Sequence, residues 1–306
     1  MKRKFGRIGV LAGGPSNERD ISLRSGRAVH NALLSEGLDS ILLNVKNDID
    51  EIVEKSCIDV AFIMLHGRFG EDGTVQKILE EAGIPYTGSG VDASIAAMDK
   101  AASKDLFIRN HIPVPEYMVL IKGRPYPYDC DKLGMPIVVK PHLEGSSIGL
   151  SIVRDKSSLK GAIDTAFKYG DKVILEEYID GRELTVGILN DEALPVIEIV
   201  PRNKVYDYDA KYKDSVTKYI VPAPISEELS RDAGSLGLMA HKALGCRSFS
   251  RVDMMMALSG DIFVLEVNTI PGMTERSLLP KAAQATGLRF SSLCVRILED
   301  ALVKVK

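Results

Sequence analysis

The chain has 306 residues, and its shares of hydrophobic (45%) and charged (26%) residues are ordinary for a globular protein. This length suffices for two or three domains, each with its own core. The formal net charge of −3 provides no basic field for nucleic acid or an anionic membrane. No apolar run approaches the roughly 18 residues of a membrane span, and no C-x-x-C pair occurs. We therefore expect reduced thiols, a cytoplasmic location, and no nucleic-acid or membrane partner.

The first part of the chain alternates strands, glycine turns and helices, which indicates an open α/β domain. Residues 8–14 form a predicted strand, and a helix follows over 18–35. Residues 58–65 form a second apolar strand, and a helix follows over 74–81. A single helix is predicted over 92–110, after which the prolines of IPVPEY mark a domain junction.

The remaining chain is predicted to form two further α/β sections. The predicted strands and helices are 136–140, 150–153, 157–169 (helix), 173–178, 183–189, 196–200 and 226–244 (helix). We expect domain bounds of 1–97 for an N-terminal substrate domain, 98–180 for a central domain with a phosphate loop, and 181–306 for a C-terminal domain with a metal site and a lid.

The segment 251–272 reads as two strands joined by a tight turn. With the Ser-Gly pair as a two-residue loop, the register places Asp253 opposite Glu266 and Arg251 opposite Asn268. Side chains alternate faces along a strand, so these polar groups share one face. Two carboxylates and an amide oxygen are hard ligands that suit Mg²⁺. The alternative is that the acids only pair with Arg251 at a sheet edge.

The loop PHLEGSSIG, residues 141–149, lies between two predicted strands, and Lys140 ends the first of them. Its glycines and the hydroxyls of Ser146 and Ser147 can fold over phosphate oxygens, to which Lys140 adds a point charge. The alternative is an ordinary flexible hairpin loop. The chain has no G-x-x-x-x-G-K-[ST] motif, which excludes a P-loop enzyme. It also lacks G-x-G-x-x-G after the first strand, which argues against a dinucleotide dehydrogenase.

Three further segments carry candidate substrate contacts. Glu18 lies at a helix start that normally attracts an anion, so its carboxylate complements the dipole and can hold an ammonium group. His66 follows a predicted strand, the usual ligand position in open α/β sheets. In YDYDAKYKD, Lys211 can reach phosphate and Tyr212 can reach substrate. The alternatives are dipole compensation, a structural histidine and a disordered polar loop.

The segment VILEEYIDGRE is typical of a hinge strand between domains. Backbone groups near Glu177 and Ile179 can pair with an adenine edge. Glu176 can accept a hydrogen bond from the adenine amine, and Glu183 can accept from ribose hydroxyls. The alternative is a salt-bridged surface.

Seven segments in chain order resemble the D-alanine–D-alanine ligases of the ATP-grasp superfamily. They are AGGPSNERDISLRSG, HGRFGEDG, IPYTGSG with MDK, VKPHLEGSSIG, YDYDAKY, RVDMM and EVNTIPGMTERSLLP. The resemblance implies a three-domain α/β ATP-grasp fold, two Mg²⁺ ions with Mn²⁺ as a substitute, and a homodimer. It also implies ATP-dependent ligation of two D-alanines through a D-alanyl phosphate, with release of ADP and phosphate, for peptidoglycan precursor synthesis.

The resemblance assigns the substrate contacts by matching motif. Glu18, Ser146 and Tyr212 form a hydrogen-bonded set beside the first D-alanine, whose ammonium group Glu18 takes. His66 lies near the same subsite. The residues implied to hold the carboxylate of the second D-alanine are Ser277 and Leu278.

The resemblance also implies which residues carry the charged and catalytic roles. Arg251 and the backbone of Gly272 are implied to stabilise negative charge on the reacting oxygens. The lysines implied to neutralise phosphates are Lys100, Lys140 and Lys211. The implied metal ligands are Asp253, Glu266 and Asn268.

Rival functions stay open beside this one. A D-alanine–D-lactate ligase is the rival within the superfamily, and Tyr212 discriminates because a tyrosine in this motif goes with dipeptide formation. A non-catalytic ATP-grasp binding protein is the rival of another class, signalled by loss of a metal ligand or of Arg251. Ser250 stands where the family often has glycine, and no role is assigned to Glu275 or Arg276.

Overall fold

The structure is a computed structural model that describes residues 5–46, 49–125, 132–201 and 217–303. The strands are β1 (Ile8–Gly13), β2 (Ser40–Val45), β3 (Val60–Ile63), β4 (Tyr117–Ile121), β5 (Ile137–Pro141), β6 (Ser151–Val153), β7 (Lys172–Glu177), β8 (Gly181–Leu189), β9 (Glu192–Ala193), β10 (Ile197–Val200), β11 (Lys218–Ile220), β12 (Phe249–Ala257) and β13 (Ile262–Asn268). The helices are α1 (Arg19–Ser35), α2 (Ile49–Ser56), α3 (Thr74–Glu81), α4 (Val91–Met98), α5 (Lys100–Arg109), α6 (Lys156–Ala166), α7 (Glu227–Ala243), α8 (Leu278–Ala285) and α9 (Phe290–Val303). Across these ranges, every helix is too short or too polar to cross a lipid bilayer.

The first sheet is parallel, with strand order β2-β1-β3. Every residue of β1 and β3 is buried, which explains their continuous apolar sequences. The carboxyl ends of these two strands meet at one edge of the sheet, where ligands bind in open α/β domains. There the Ser16 hydroxyl donates to the His66 carbonyl over 2.6 Å, joining the loop after β1 to the loop after β3.

The second sheet is antiparallel, with strand order β4-β7-β5-β6 and α6 packed against it. The pairing of β5 with β7 sets Val138 opposite Glu176 and Lys140 opposite Ile174. Because side chains alternate along a strand, Val138 and Lys140 share a face, and both line the cavity described below.

The third sheet has the strand order β11-β10-β8-β12-β13, with β9 paired to β8. The central strand β12 is flanked on both sides, and its Asp253 lies opposite Thr185 of β8 and Glu266 of β13. Helix α7 covers this sheet, and Ser226 caps its start by accepting from the Leu229 amide.

The predicted single helix over 92–110 is wrong, because Asp99 divides it into α4 and α5. Asp99 has extended backbone geometry, and its carboxylate accepts from the amides of Ala101 and Ala102. This is an N-cap, so the chain restarts a helix at Lys100 instead of continuing the previous one.

The hairpin of β12 and β13 has the predicted register at its polar end, but its turn differs from the prediction. Arg251 pairs with Asn268 and Asp253 pairs with Glu266, as expected. The Ala257 amide donates to the Asp261 carbonyl, which leaves three residues in the loop instead of two. A bulge after Asp253 shifts the register by one residue and offsets the longer loop.

Candidate active site

Two cavities, of about 460 and 490 Å³, share a wall formed by Gly145, Ser146 and Glu266. We call the first the nucleotide cavity and the second the substrate cavity. The nucleotide cavity lies between the second and third sheets, and the substrate cavity lies where the first sheet faces the hairpin. Ligands in the two cavities would therefore face each other across this wall.

The nucleotide cavity contains every predicted ATP-binding residue that the structure describes. These residues are Lys100, Lys140, Ser146, Ser147, Glu176, Glu177, Ile179 and Glu183. Apolar side chains that the sequence reasoning did not name complete it, and they are Val138, Ile152, Met255 and Leu265. An apolar patch beside the two ammonium groups of Lys100 and Lys140 suits a ligand with a flat ring and an anionic tail.

Glu176 is buried between two ammonium groups. Lys140 Nζ lies 3.1 Å from its Oε1 and 2.9 Å from its Oε2, and Lys104 Nζ lies 2.8 Å from Oε2. Burial alone would raise the pKa of Glu176, but the two ammonium groups outweigh it and hold the pKa below its usual range. The sequence reasoning gave this carboxylate a role toward adenine and did not anticipate its two buried partners.

The hinge residues Glu177, Ile179 and Glu183 line the same cavity. The amide of Glu177 donates to the Glu116 carbonyl over 2.8 Å, so it is engaged within the protein. Nearby, Arg182 forms a two-pronged ion pair with Glu198 at 2.6 and 2.8 Å, another pair at the cavity that the sequence reasoning missed.

The loop 141–149 reaches from the nucleotide cavity to the substrate cavity. Ser146 and Ser147 both have left-handed backbone angles, with φ of 52° and 59°. Such angles are costly for residues other than glycine, and they are enriched in loops at functional sites. Ser146 Oγ donates to the Glu18 carboxylate, which connects this loop to the first sheet.

Lys100 reaches the wall between the cavities from the start of α5. Its Nζ donates to the Glu144 carbonyl over 2.8 Å and lies 3.2 Å from Glu266 Oε2. One ammonium group therefore contacts both the loop 141–149 and the hairpin.

The substrate cavity contains the predicted catalytic and substrate-binding residues that the structure describes. They are Glu18, His66, Ser146, Arg251, Gly272, Ser277 and Leu278. Tyr212 and Lys211 lie outside the described residues. The lining also includes residues that the sequence reasoning passed over, and they are Ile21, Arg24, Ser25, Glu71, Thr217, Tyr219 and Arg276.

Glu18 directly precedes α1, whose first residue is Arg19, and its side chain points into the cavity instead of capping the helix. A side chain at Gly67 would approach Glu18 Oε2 to 2.7 Å, and Gly67 also has a positive φ of 69°. Glycine at this position therefore leaves the room that Glu18 occupies.

Glu71 is a second acid in this cavity, and its carboxyl group accepts from the amides of Gly67 (2.6 Å) and Ile270 (3.3 Å). Burial raises the pKa of Glu71 to about 8, and the neighbouring charge of Glu18 adds to the rise. Near neutral pH, Glu71 is therefore a protonated acid that holds two loops together. The sequence motif around Glu71 does not indicate these contacts, because the Ile270 amide is distant in the sequence.

His66 is buried and makes hydrogen bonds with both ring nitrogens. Nδ1 lies 2.9 Å from the Ile270 carbonyl, so Nδ1 carries the proton. Nε2 then accepts from the Ser25 hydroxyl at 3.3 Å. Burial lowers the pKa of His66, although the charge of Glu18 opposes this, so the ring is neutral. His66 thus holds the loop after β3 against the loop after β13.

The polar end of the hairpin gathers donors around Asp253. Its carboxylate accepts from Arg251 at 2.8 and 2.7 Å, from Thr185 at 2.7 Å and from Asn268 Nδ2 at 3.1 Å. Within the described ranges, no group of three or more His, Cys, Asp or Glu side chains is arranged to hold a metal ion. The candidate ligand set is thus two carboxylates with one amide, not a cluster of acids.

Two family models and many relatives of known activity are similar to this chain. Residues 106–299 match the family described as D-ala D-ala ligase C-terminus, and residues 44–89 match D-ala D-ala ligase N-terminus. A D-alanine–D-alanine ligase from Geotalea uraniireducens is 47% identical over 302 residues, which covers 99% of this chain and 97% of the relative.

Two solved structures extend the likeness to three dimensions. The D-alanine–D-alanine ligase from Bacillus anthracis complexed with ATP has a TM-score of 0.87 at 37% identity, covering 98% of both chains. The VanG D-Ala:D-Ser ligase from Enterococcus faecalis has a TM-score of 0.83 at 29% identity, covering 98% of this chain and 100% of that one. The predicted α/β ATP-grasp fold is confirmed. The chain belongs to the D-alanine–D-alanine ligase family.

Proposed function

We propose that this chain joins two D-alanines to D-alanyl-D-alanine, with ATP converted to ADP and phosphate, for peptidoglycan precursor synthesis. The observation that carries the proposal is the wall of Gly145, Ser146 and Glu266 shared by the two cavities. Transfer of a phosphoryl group to a carboxylate requires both ligands to meet in line, and the shared wall gives them a place to do so. The activities in the names of the relatives support the same reaction.

In the first step, the carboxylate of one D-alanine attacks the γ-phosphate of ATP and forms D-alanyl phosphate. Both reactants are anionic, so cations must screen them. Lys100 and Lys140 line the nucleotide cavity and are proposed to do this together with Lys211. Ser146 and Ser147 are proposed to contact phosphate oxygens from the loop 141–149.

The donor chemistry of the hairpin fits Mg²⁺. Asp253, Glu266 and Asn268 offer two carboxylates and an amide oxygen, and Asn268 uses its nitrogen toward Asp253, which leaves its oxygen for a cation. We propose that these residues hold two Mg²⁺ ions, for which Mn²⁺ can substitute. When bound, the ions would neutralise phosphate charge and orient the phosphoryl group.

The ammonium group of the first D-alanine is proposed to bind at Glu18. Glu18 pairs with Ser146 across the cavity, and its charge lies close enough to Glu71 to contribute to the raised pKa of Glu71. His66 is neutral here and is proposed to shape this subsite through its two hydrogen bonds. Tyr212 is proposed to join the same set.

In the second step, the amine of the other D-alanine attacks the acyl phosphate and phosphate leaves. Arg251 and the backbone amide of Gly272 are proposed to stabilise the oxyanion that forms. Ser277 lies next to Gly272, since a side chain at Gly272 would come within 3.1 Å of Ser277 Oγ. Ser277 and Leu278 are proposed to hold the carboxylate of the attacking D-alanine.

Three properties of the whole chain belong to the same proposal. The domain bounds are 1–97, 98–180 and 181–306, the location is cytoplasmic, and the protein is a homodimer. Light scattering at several concentrations would test the homodimer, and a monomeric mass throughout would contradict it.

The test of the function is ATP-dependent phosphate release with D-alanine, with the product identified by mass. Parallel reactions contain L-alanine, or D-alanine together with D-lactate or D-serine. D-Alanyl-D-alanine from D-alanine alone is the expected product. Preferential formation of a depsipeptide with D-lactate would assign the rival ligase activity. Binding of ATP with no release in any reaction would leave a binding protein.

A further inference from the structure

Lys104 is a buried charged residue to which the reaction described above gives no role. Its side chain has no exposure to solvent, although it carries an ammonium group. An ammonium group in the protein interior is costly unless a charge partner compensates for it. A buried lysine at this place therefore calls for a physical reason.

The partner of Lys104 is Glu176, which Lys104 contacts from outside the nucleotide cavity. Lys104 Nζ lies 2.8 Å from Glu176 Oε2, and Lys140 Nζ lies 2.9 Å from the same oxygen. Glu176 and Lys140 line the nucleotide cavity, whereas Lys104 is not among the residues that line it. The three groups thus form a layer, with Lys104 behind the two that line the cavity.

The charges of this layer explain why a second lysine is needed. Glu176 and Lys140 alone would form a neutral pair, which attracts phosphate weakly. With Lys104 the buried group carries two positive charges and one negative charge. Lys100, which also lines the cavity, is itself paired with Glu266. A net positive charge beside a phosphate site gains strength because burial reduces screening.

We propose that Lys104 is a positioning residue for the nucleotide: it neutralises Glu176 from behind, so that Lys140 keeps its charge available for phosphate and Glu176 keeps its orientation at the cavity. The inference rests on the proposed function, since it assumes that the cavity binds ATP. Lys104 acts through Glu176 and Lys140 and does not itself touch the ligand.

The helix that carries Lys104 supports this role. Lys100 and Lys104 lie four residues apart on α5, so they project from one face of the helix. Lys100 contacts the wall between the cavities, and Lys104 contacts the layer under Lys140. The Asp99 cap fixes the start of α5 and with it the positions of both ammonium groups.

The pKa of Lys104 is consistent with an ammonium group that depends on the charge of Glu176. Burial lowers the pKa of Lys104 to about 8, and the charge of Glu176 is the main effect that opposes the drop. Near neutral pH, Lys104 is therefore largely charged only while Glu176 is ionised beside it.

The experiment compares ATP and adenosine binding to the full chain in magnesium buffer, with Lys104→Met as the test variant. ATP is titrated by calorimetry, and adenosine is measured by competition. We expect Lys104→Met to weaken ATP by about tenfold or more and adenosine by less than about threefold, because only ATP carries phosphate charge. Lys104→Arg, which keeps the charge, should retain most of the ATP affinity.

A double-mutant cycle separates positioning from simple packing. In a Glu176→Gln background there is no carboxylate to neutralise, so adding Lys104→Met should change ATP affinity by less than about threefold. Lys77→Met is the matched control, since Lys77 is an exposed lysine paired with Glu81 on α3. This control should leave ATP binding unchanged.

Several outcomes would overturn the inference. Folded Lys104→Met protein with wild-type ATP affinity would do so, as would an equal loss for ATP and adenosine. If Lys104→Met fails to fold, Lys104→Gln is subject to the same comparison. Wild-type protein that does not bind ATP would overturn the proposed function, and this inference with it.

Discussion

The nucleotide cavity and the substrate cavity are built in different ways. The charged residues of the nucleotide cavity lie mainly on strands, with Lys140 on β5, Glu176 on β7, Asp253 on β12 and Glu266 on β13. Several polar residues of the substrate cavity instead lie on loops or next to helix starts, as Glu18, Glu71 and Ser277 do, although Arg251 and Glu266 lie on the hairpin strands. Sheets hold the first set rigidly, whereas the second depends on contacts between segments distant in the chain.

The two cavities also differ in the groups that surround their buried carboxyl side chains. In the nucleotide cavity a buried carboxylate, Glu176, contacts two ammonium groups, those of Lys104 and Lys140. In the substrate cavity backbone amides hold a protonated acid, Glu71, beside the ionisable Glu18. Under the proposed function, the first arrangement serves the phosphates of ATP and the second serves the ammonium group of D-alanine. The comparison therefore predicts that changes in one cavity affect one ligand much more than the other.

Arg251→Ala should have the largest effect, because Arg251 lies in the substrate cavity and pairs with Asp253 of the nucleotide cavity. We expect kcat to fall by roughly 10²-fold or more, the scale for the loss of an oxyanion stabiliser. Steady-state kinetics with saturating ATP and D-alanine would measure it. Near-normal turnover would contradict the role.

Because Arg251 also pairs with Asp253, a candidate metal ligand, the Arg251→Ala variant needs a control for metal binding. The magnesium dependence of the Arg251→Ala variant should stay close to that of the wild type if the loss arises at the oxyanion. A parallel shift of the magnesium requirement would instead show that Arg251 acts by arranging Asp253.

Glu18→Gln should have a smaller and more selective effect. The change removes the negative charge while keeping an acceptor for Ser146, so the KM for the first D-alanine should rise by about tenfold or more. ATP affinity should stay unchanged, because Glu18 lines only the substrate cavity of the two. Calorimetry with ATP provides the control. Weakened ATP binding with a normal D-alanine KM would contradict the assignment of Glu18 to D-alanine binding.

Glu71→Gln should have the smallest effect on turnover but should change the pH dependence of stability. The pKa of Glu71 is raised from 4.5 to about 8 in the folded protein. Between these values the unfolded chain releases a proton that the folded protein keeps, so wild-type stability is lost as pH rises through this window. Above about pH 8 no further loss arises from this residue.

Thermal unfolding at several pH values would test the Glu71 prediction. The Gln variant loses one acceptor for a backbone amide at every pH, so the slopes are compared instead of the absolute melting temperatures. The wild type should lose stability more steeply than the variant from pH 5 to 8. Equal slopes would show that Glu71 is ionised throughout that range.

The sequence allowed the strand-based part of the site to be predicted. Alternation along β12 and β13 correctly set Asp253 opposite Glu266 and Arg251 opposite Asn268. This agreement had a fortunate element, since the two-residue loop was wrong and the bulge after Asp253 offset the error. Bulges have no clear pattern in a single sequence, so the agreement could not have been guaranteed in advance.

The loop-based and buried features were harder to predict. Glu71 depends on the Ile270 amide, and the two are linked only by the fold. Lys104 lies between the polar residues Ser103 and Asp105 of its helix, where a lysine normally faces solvent. The break at Asp99 was missed because the flanking alanines favour helix on both sides, while the cap becomes evident only from its hydrogen bonds. The roles of individual residues toward the ligands stay predictions.

The bulge in the hairpin has a consequence for protein engineering. It separates the turn around Leu258 from the paired residues at Arg251 and Asp253, and Leu258 is 83% exposed. The tip of this hairpin is therefore a suitable insertion point for an epitope tag or a surface-immobilisation sequence. Residues added there extend a solvent-facing loop, while the strand pairing on the far side of the bulge holds the reactive groups in register.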